Sequence, residues 1–260
     1  ELQLHHEAAS VHVGTLHVHA NVLVVVEGVH VLLRRKGNRL DFPLGDELRE
    51  QQFREAYVYA ERLLGRNPII EPHFTFRKTL DVKIEQEMIS LRQQGIWTCD
   101  ENVFRQKHDA VLDDLYRQVV TITNESREVL EILKGKLPMV LVSNFYGNIS
   151  VVLREFGLDG FFSHIIESAV VGIRKPDARI FCLGVEALGL QPEEVLVVGD
   201  SLEKDIAPAQ QIGCRTAWME GEGWMPAKDS AIIPDSTIHT IKEVITTLYN
   251  INQREYTKKK

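Results

Sequence analysis

At 260 residues, with 44% hydrophobic and 26% charged side chains, the chain has the size and composition of one well-buried domain with a smaller insert. A net charge of −7 supplies no basic face of the kind that phosphate backbones require, which argues against a nucleic-acid partner. No apolar run approaches the roughly 20 residues of a membrane helix, and no cleavage-site pattern follows Val22–Val26, so a cytoplasmic protein without membrane contact or secretory leader is expected.

Cys99, Cys182 and Cys214 are odd in number and far apart, as in a protein of reduced thiols rather than a disulfide frame. Glu1 stands where a methionine would start a whole chain, as in a fragment or a processed form, and the basic end Tyr256–Lys260 reads as a solvated terminus. There is no repeat and no low-complexity block, and no residue pattern indicates an oligomeric state.

In chain order, residues 1–34 are rich in valine and histidine and predict one or two strands. Val22-Leu23-Val24-Val25-Val26 is a continuous, mostly β-branched run, the pattern of a strand buried on both faces. Residues 35–46, with Gly37, Asn38, Pro43 and Gly45, form a linker. The next block is helical. Phe53, Tyr57, Ala60 and Leu64 recur at helical spacing before Gly65. Phe76, Leu80, Ile84, Met88 and Leu91 mark a second helix ending at Gly95, and Val111, Leu115 and Val119 mark a third. From Asn124 strands and helices alternate: a helix through Val129, Leu130 and Leu133; the strand Met139–Val142; a helix ending near Phe156-Gly157; and the strand Ile165-Ile166. A helix from Pro176 to Leu188, the strand Val195–Val198, a helix after Glu203 ending at Gly213 and the strand Arg215–Trp218 continue the series.

Alternation with unalternated apolar strands predicts an α/β fold: a Rossmann-like parallel sheet core with helices on both faces, formed by residues 1–46 and 123–260. The all-helical residues 47–122 then make an inserted helical cap. Open sheets of this kind bind ligands at the carboxyl ends of their strands.

Two predicted strand ends carry polar residues there. Ser143-Asn144 follow Leu141-Val142, and Gly199-Asp200-Ser201 follow Val197-Val198, with Asp205 five residues beyond Asp200. Between them Arg174-Lys175-Pro176 opens a helix with proline at its first position. A hydroxyl, a fixed cation and paired carboxylates suit phosphoryl chemistry. Hydroxyl and backbone N–H groups bind phosphoryl oxygens, the lysine neutralises their charge, and carboxylates hold Mg²⁺. Taken singly, Ser143 reads as a turn residue, Lys175 as a surface lysine and Asp200 as a helix cap; their order along one chain favours function. Asp205 reads as a metal ligand or as a residue on a helix facing solvent.

Leu141-Val142-Ser143-Asn144 resembles motif II of the haloacid dehalogenase-like superfamily. Gly172-Ile173-Arg174-Lys175-Pro176-Asp177 resembles motif III, and Val197-Val198-Gly199-Asp200-Ser201 through Asp205 resembles motif IV, over roughly residues 124–220. The two motif IV carboxylates resemble the Mg²⁺-dependent phosphatase branch more than the metal-free dehalogenase branch. The resemblance implies phosphate binding by Ser143, Asn144 and Lys175, catalytic roles for Ser143 and Lys175, magnesium at Asp200 and Asp205, and a small phosphorylated substrate chosen by the cap.

The family's first motif, Asp-x-Asp-Gly-Thr, is missing. The strand Val22–Val26 puts Val25 at the nucleophile and Glu27 at the acid/base position, followed by Gly28; this placement is preferred because a buried strand precedes it. The alternative uses Gly14-Thr15-Leu16 as the motif's end and puts Val11 and Val13 at the carboxylate positions. Valine has no lone pair for attack. Glu27 carries an extra methylene that would misplace an attacking oxygen by about 1 Å, on the order of 100-fold in rate. The chain is therefore expected to be inactive or severely impaired while still binding phosphate and Mg²⁺ weakly. The rivals are a pseudoenzyme that binds a phosphorylated ligand or a partner, and a dehalogenase-type hydrolase, which has less need of Asp200 and Asp205. Six of the ten histidines (His5, His6, His12, His17, His19 and His30) crowd the start of the chain. On a strand His17 and His19 would face one way and hold a transition metal, but the alternation is equally that of a half-exposed strand.

Overall fold

The computed structural model describes residues 55–56, 58–60, 62–64, 69–221 and 231–251 with their side chains, and the backbone alone of Asn21–Val24 and of residues 252–258. Strand β1 (Asn21–Val24) pairs in parallel with β4 (Val195–Gly199), matching Val22 to Leu196 and Val24 to Val198. Beyond β4 lie β5 (Arg215–Met219) and β6 (Ser236–Ile238), also parallel. A second parallel pair, β2 (Val140–Ser143) and β3 (His164–Glu167), lies with β2 beside β1, so the strands read β3, β2, β1, β4, β5, β6 across the fold.

The unalternated strands bury both faces. Side chains alternate across a strand, so Val140, Val142, Val195 and Val197 pack on one side with Ile180, Phe181 and Val185 of the helix Arg179–Leu188. Leu141, Leu196, Val198 and Ala217 point the other way, toward Val129, Leu130 and Leu133 and toward Val244 and Leu248 of the C-terminal helix Glu243–Lys258. Each of the valine, leucine, isoleucine and phenylalanine side chains among them contributes about 1.5–3 kcal/mol on full burial. This is an α/β, Rossmann-like core with helices on both sides of parallel strands.

The described residues between 55 and 64 are helical, with Ala60 and Leu64 buried; Phe53 and Tyr57 lie outside the described residues. Helix α1 (Phe76–Gln93) starts where Thr75 accepts a bond from the Lys78 N–H (3.2 Å), and it buries all five of its predicted apolar residues. Gly95, with φ of 68°, turns the chain out of it. Helix α2 (Glu101–Leu133) is one uninterrupted element of 33 residues, where the spacing predicts two helices and a cap boundary at 122/123. The stretch between them holds neither Gly nor Pro. Thr123 and Ser126 donate to the Val119 (2.8 Å) and Ile122 (2.9 Å) carbonyls, which satisfies their hydroxyls without breaking the helix. One apolar cluster runs from the sheet through α2 to Phe76, Leu80 and Met88 of α1.

Helix α3 (Ile149–Glu155) follows β2, and the short α4 (Ser168–Val171) follows β3. Helix α5 (Arg179–Leu188) begins later than proline at a first helical position would predict. Pro176 sits in a turn after a cis Lys175–Pro176 peptide, and Asp177 accepts the Arg179 N–H (3.0 Å) at the helix start. After β4 the chain makes a π-helical turn, Leu202–Ile206, before α6 (Ala207–Gln211). Strand β6 and α7 (Glu243–Lys258) are elements that the spacing does not announce. All three cysteines are free thiols. Among the described residues no helix is long and apolar enough to cross a membrane.

Candidate functional site

Ser143 is the last residue of β2 and is buried, paired in register with Glu167 at the end of β3. The next residue, Asn144, turns its carboxamide onto the backbone of Lys175. Its Oδ1 accepts the Lys175 N–H (2.9 Å) and its Nδ2 donates to the Lys175 carbonyl (3.1 Å). This two-point grip matches the pairing of one peptide with another and satisfies both polar groups of a buried backbone unit. The side chain of Asn144, a residue expected to bind phosphate, thus holds the backbone of the lysine.

Lys175 reaches across to the end of β4. Its ammonium donates to Asp205 Oδ1 at 2.8 Å, and both side chains have 0% of their surface exposed. Asp205 Oδ2 accepts the Ser201 N–H at 3.0 Å. Asp205 thus faces inward from the π-helical turn rather than outward from a helix, and both its oxygens are engaged within the protein. Close approach makes this possible. A Cβ at Gly199 would stand 2.4 Å from Asp205 Cβ and 2.8 Å from its Oδ2, so only glycine lets the carboxylate fold back over the strand end. Asp200 stands next to Gly199, half-buried, and its carbonyl accepts the indole N–H of Trp218 at 3.0 Å.

Sequence reasoning did not find Glu167. Its buried carboxylate accepts the N–H groups of Gly147 (2.6 Å) and Ile149 (3.3 Å), and that of Asn148, closing the loop that leads from Ser143 into α3. Burial pushes the Glu167 carboxyl above the usual carboxylate range, and the three N–H groups pull against that shift. With the start of α3 held from β3, Asn148 is released to donate to the Phe74 carbonyl (2.9 Å) and Thr79 Oγ1 (2.8 Å) of α1. Glu155, at the other end of α3, accepts the Phe76 N–H, the Arg77 N–H (3.3 Å) and the Tyr116 hydroxyl (2.9 Å). The loop after β2 is thereby tied to the first turn of α1, whose buried Lys83 lies 5.5 Å above the Tyr146 ring. A glutamate ending the apolar pair Ile165-Ile166 is the sequence signal that marks Glu167 as special.

The structure therefore brings Asn144, Lys175, Gly199, Ser201 and Asp205 into one contact network, with Ser143 and Asp200 at the two strand ends that carry it. Glu27, Val25 and the six N-terminal histidines lie outside the described residues. Among the described residues no three or more His, Cys, Asp or Glu side chains gather as a ready-made metal cluster.

The chain is 39% identical over 88 residues to a phosphoserine phosphatase of Thermus thermophilus, which covers 34% of each protein. It is 33% identical over 126 residues to a phosphoglycolate phosphatase of Chromobacterium violaceum, covering 48% of this chain and 55% of that one. The matches thus span about a third to a half of these relatives' length. In fold it is similar to a subfamily IA hydrolase of this superfamily from Geobacter sulfurreducens, with a TM-score of 0.51 at 20% identity, over 91% of this chain and 100% of that one. The family model for haloacid dehalogenase-like hydrolases matches residues 22–213, most of the chain and all of the network above. The chain belongs to the haloacid dehalogenase-like hydrolase family.

Proposed function

We propose that this chain is a phosphatase-type member of its family that receives the phosphoryl group of a small phosphorylated metabolite at the carboxyl ends of β2 and β4, with turnover severely impaired as its sequence stands. The observation that carries this reading is the Lys175–Asp205 pair. A lysine wholly withdrawn from solvent, gripped at its backbone by Asn144 and at its ammonium by Asp205, is a cation held in one place at the end of a parallel sheet. Ser143 supplies a hydroxyl at the neighbouring strand end. The two phosphatase relatives are each named for a small phosphorylated acid. The free thiols fit a reducing, cytoplasmic compartment.

In this reading Ser143 and Lys175 bind and orient the phosphoryl oxygens, and Asn144 and Asp205 are positioning residues for Lys175. The helical segment that includes α1 serves as the cap, since α1 sets Lys83 over Tyr146, three residues past Ser143. Phosphatases of this family generally use magnesium. The carboxylate that suits it here is Asp200, because Asp205 is engaged by Lys175 and Ser201. When bound, the ion would neutralise charge on the phosphoryl oxygens.

The impairment rests on the first strand. The family match begins at residue 22 and β1 pairs with β4 through Val24, which supports Val25 as the nucleophile position. The double change Val25→Asp with Glu27→Asp should then raise hydrolysis of an aryl phosphate from background to a measurable rate, and adding Lys175→Ala should remove it. Hydrolysis by the unaltered chain that survives Lys175→Ala would sink the assignment.

A further inference from the structure

Helix α2 is α-helical without a break from Glu101 to Leu133 and contains neither glycine nor proline. Sharp kinks in helices arise at such residues, at π-bulges or where a group enters the backbone ladder, so α2 has no hinge within it. Its first half buries Phe104 and Val111 and its second half Val129 and Leu133, all in the one apolar cluster that also holds Leu141 of the sheet. Helix α1 is bound to that first half, where the buried His108 ring lies 3.2 Å from the Asp81 carbonyl.

The start of α1 is held from the core as well. The first N–H groups of a helix have no partner inside it. Those of Phe76 and Arg77 (3.3 Å) donate instead to the carboxylate of Glu155, the last residue of α3. A carboxylate so placed also meets the positive end of the helix dipole. It accepts the Tyr116 hydroxyl of α2 too (2.9 Å), and the neighbouring Phe156 ring lies against those of Phe76 (5.5 Å) and Tyr116 (6.0 Å). At the other end of α3, the buried Asn148 donates to the Phe74 carbonyl (2.9 Å) and Thr79 Oγ1 (2.8 Å). Both ends of α3 therefore grip the first turn of α1, and a swing of α1 off the core must break these bonds together.

We propose that Glu155 locks the helical segment to the α/β core, so that α1, α2 and α3 form one rigid block. A ligand is then selected by a gap of fixed width instead of by a lid that closes on it. The proposal rests on the phosphoryl site proposed above, for which this segment is the cap.

Hydrogen exchange of the full chain, read at single amides, tests this, because the Phe76 and Arg77 N–H groups exchange when they leave Glu155. Both should exchange within about 10-fold of the Val142 amide in β2, as amides of one cooperative unit do. Glu155→Ala should speed both by about 10-fold or more, the loss of a hydrogen bond to a charged group, and leave Val142 unchanged. Glu155→Gln should speed them less, since its carbonyl still accepts one N–H. Saturating inorganic phosphate should leave both rates unchanged relative to Val142. Exchange at the rate of unstructured peptide in the parent would overturn the proposal. So would parental rates in Glu155→Ala, or a slowing of both amides relative to Val142 when phosphate is added, the mark of a closing lid. Should Glu155→Ala not fold, the parent and Glu155→Gln still decide. Calorimetry shows separately whether phosphate binds. Absence of binding would bring down the phosphoryl-binding reading alone, since the lock is judged from the rates in the unliganded chain.

Discussion

Gly199 and Asp205 occupy almost the same space: a side chain on the glycine would place its Cβ 2.4 Å from the Cβ of the aspartate. That closeness lets the carboxylate turn back over β4 and meet Lys175 instead of water. Gly199→Ala should therefore cost on the order of 2 kcal/mol by overpacking. The clash is with Cβ and Cγ of a buried residue rather than the far end of a flexible chain. Thermal unfolding should show a drop of several degrees, and a midpoint unchanged from the parent would contradict the packing described.

The ion pair should be far costlier to halve than to remove. Asp205→Asn leaves the Lys175 charge buried and should destabilise by about 3–5 kcal/mol, whereas adding Lys175→Met should recover part of the loss. Urea midpoints of the parent, both single variants and the double variant test this. Equal losses in the Asp205→Asn and double variants would show that the pair is not the unit of stability.

Asn144→Ala strips the partners from the Lys175 N–H and carbonyl, which are buried with it. A loss of about 1–3 kcal/mol is expected for the unsatisfied groups. Phosphate affinity should fall as well, because the lysine backbone is no longer held. A variant of parental affinity would show that Lys175 needs no help from Asn144.

Glu167 makes a prediction in pH. Its carboxyl is shifted upward by burial, so the folded state holds the proton more tightly than the unfolded chain does. Stability from this group is full below the ordinary carboxylate range and is lost as pH rises through the raised value. Glu167→Gln cannot titrate. The parent should therefore exceed the variant in stability by more at pH 4 than at pH 7.5, measured as the difference in urea midpoints. A larger advantage at pH 7.5 would reverse the sign and refute the assigned shift.

Much of this site is written in order along the chain. Ser143, Lys175 and Asp200 are legible because each follows or adjoins a run of apolar residues long enough to be a buried strand, and polar residues at such ends need a reason to be there. The helical spacing of Phe76 to Leu91 is legible for the same cause: burial on one face imposes a period. What neighbours do for one another is not written locally. Whether Asp205 meets metal, water or lysine depends on a π-helical turn and on a glycine six residues earlier. Asn144 grips a backbone 31 positions away, and Glu167 closes a turn 20 positions before it. Hydrogen-bonding residues have no period and act at whatever distance the chain's path sets. The α/β layering and the polar strand ends can be read from the chain alone, because hydrophobic burial is periodic. Which carboxylate neutralises Lys175 follows only from the folded chain, because it depends on contacts between segments far apart in the sequence.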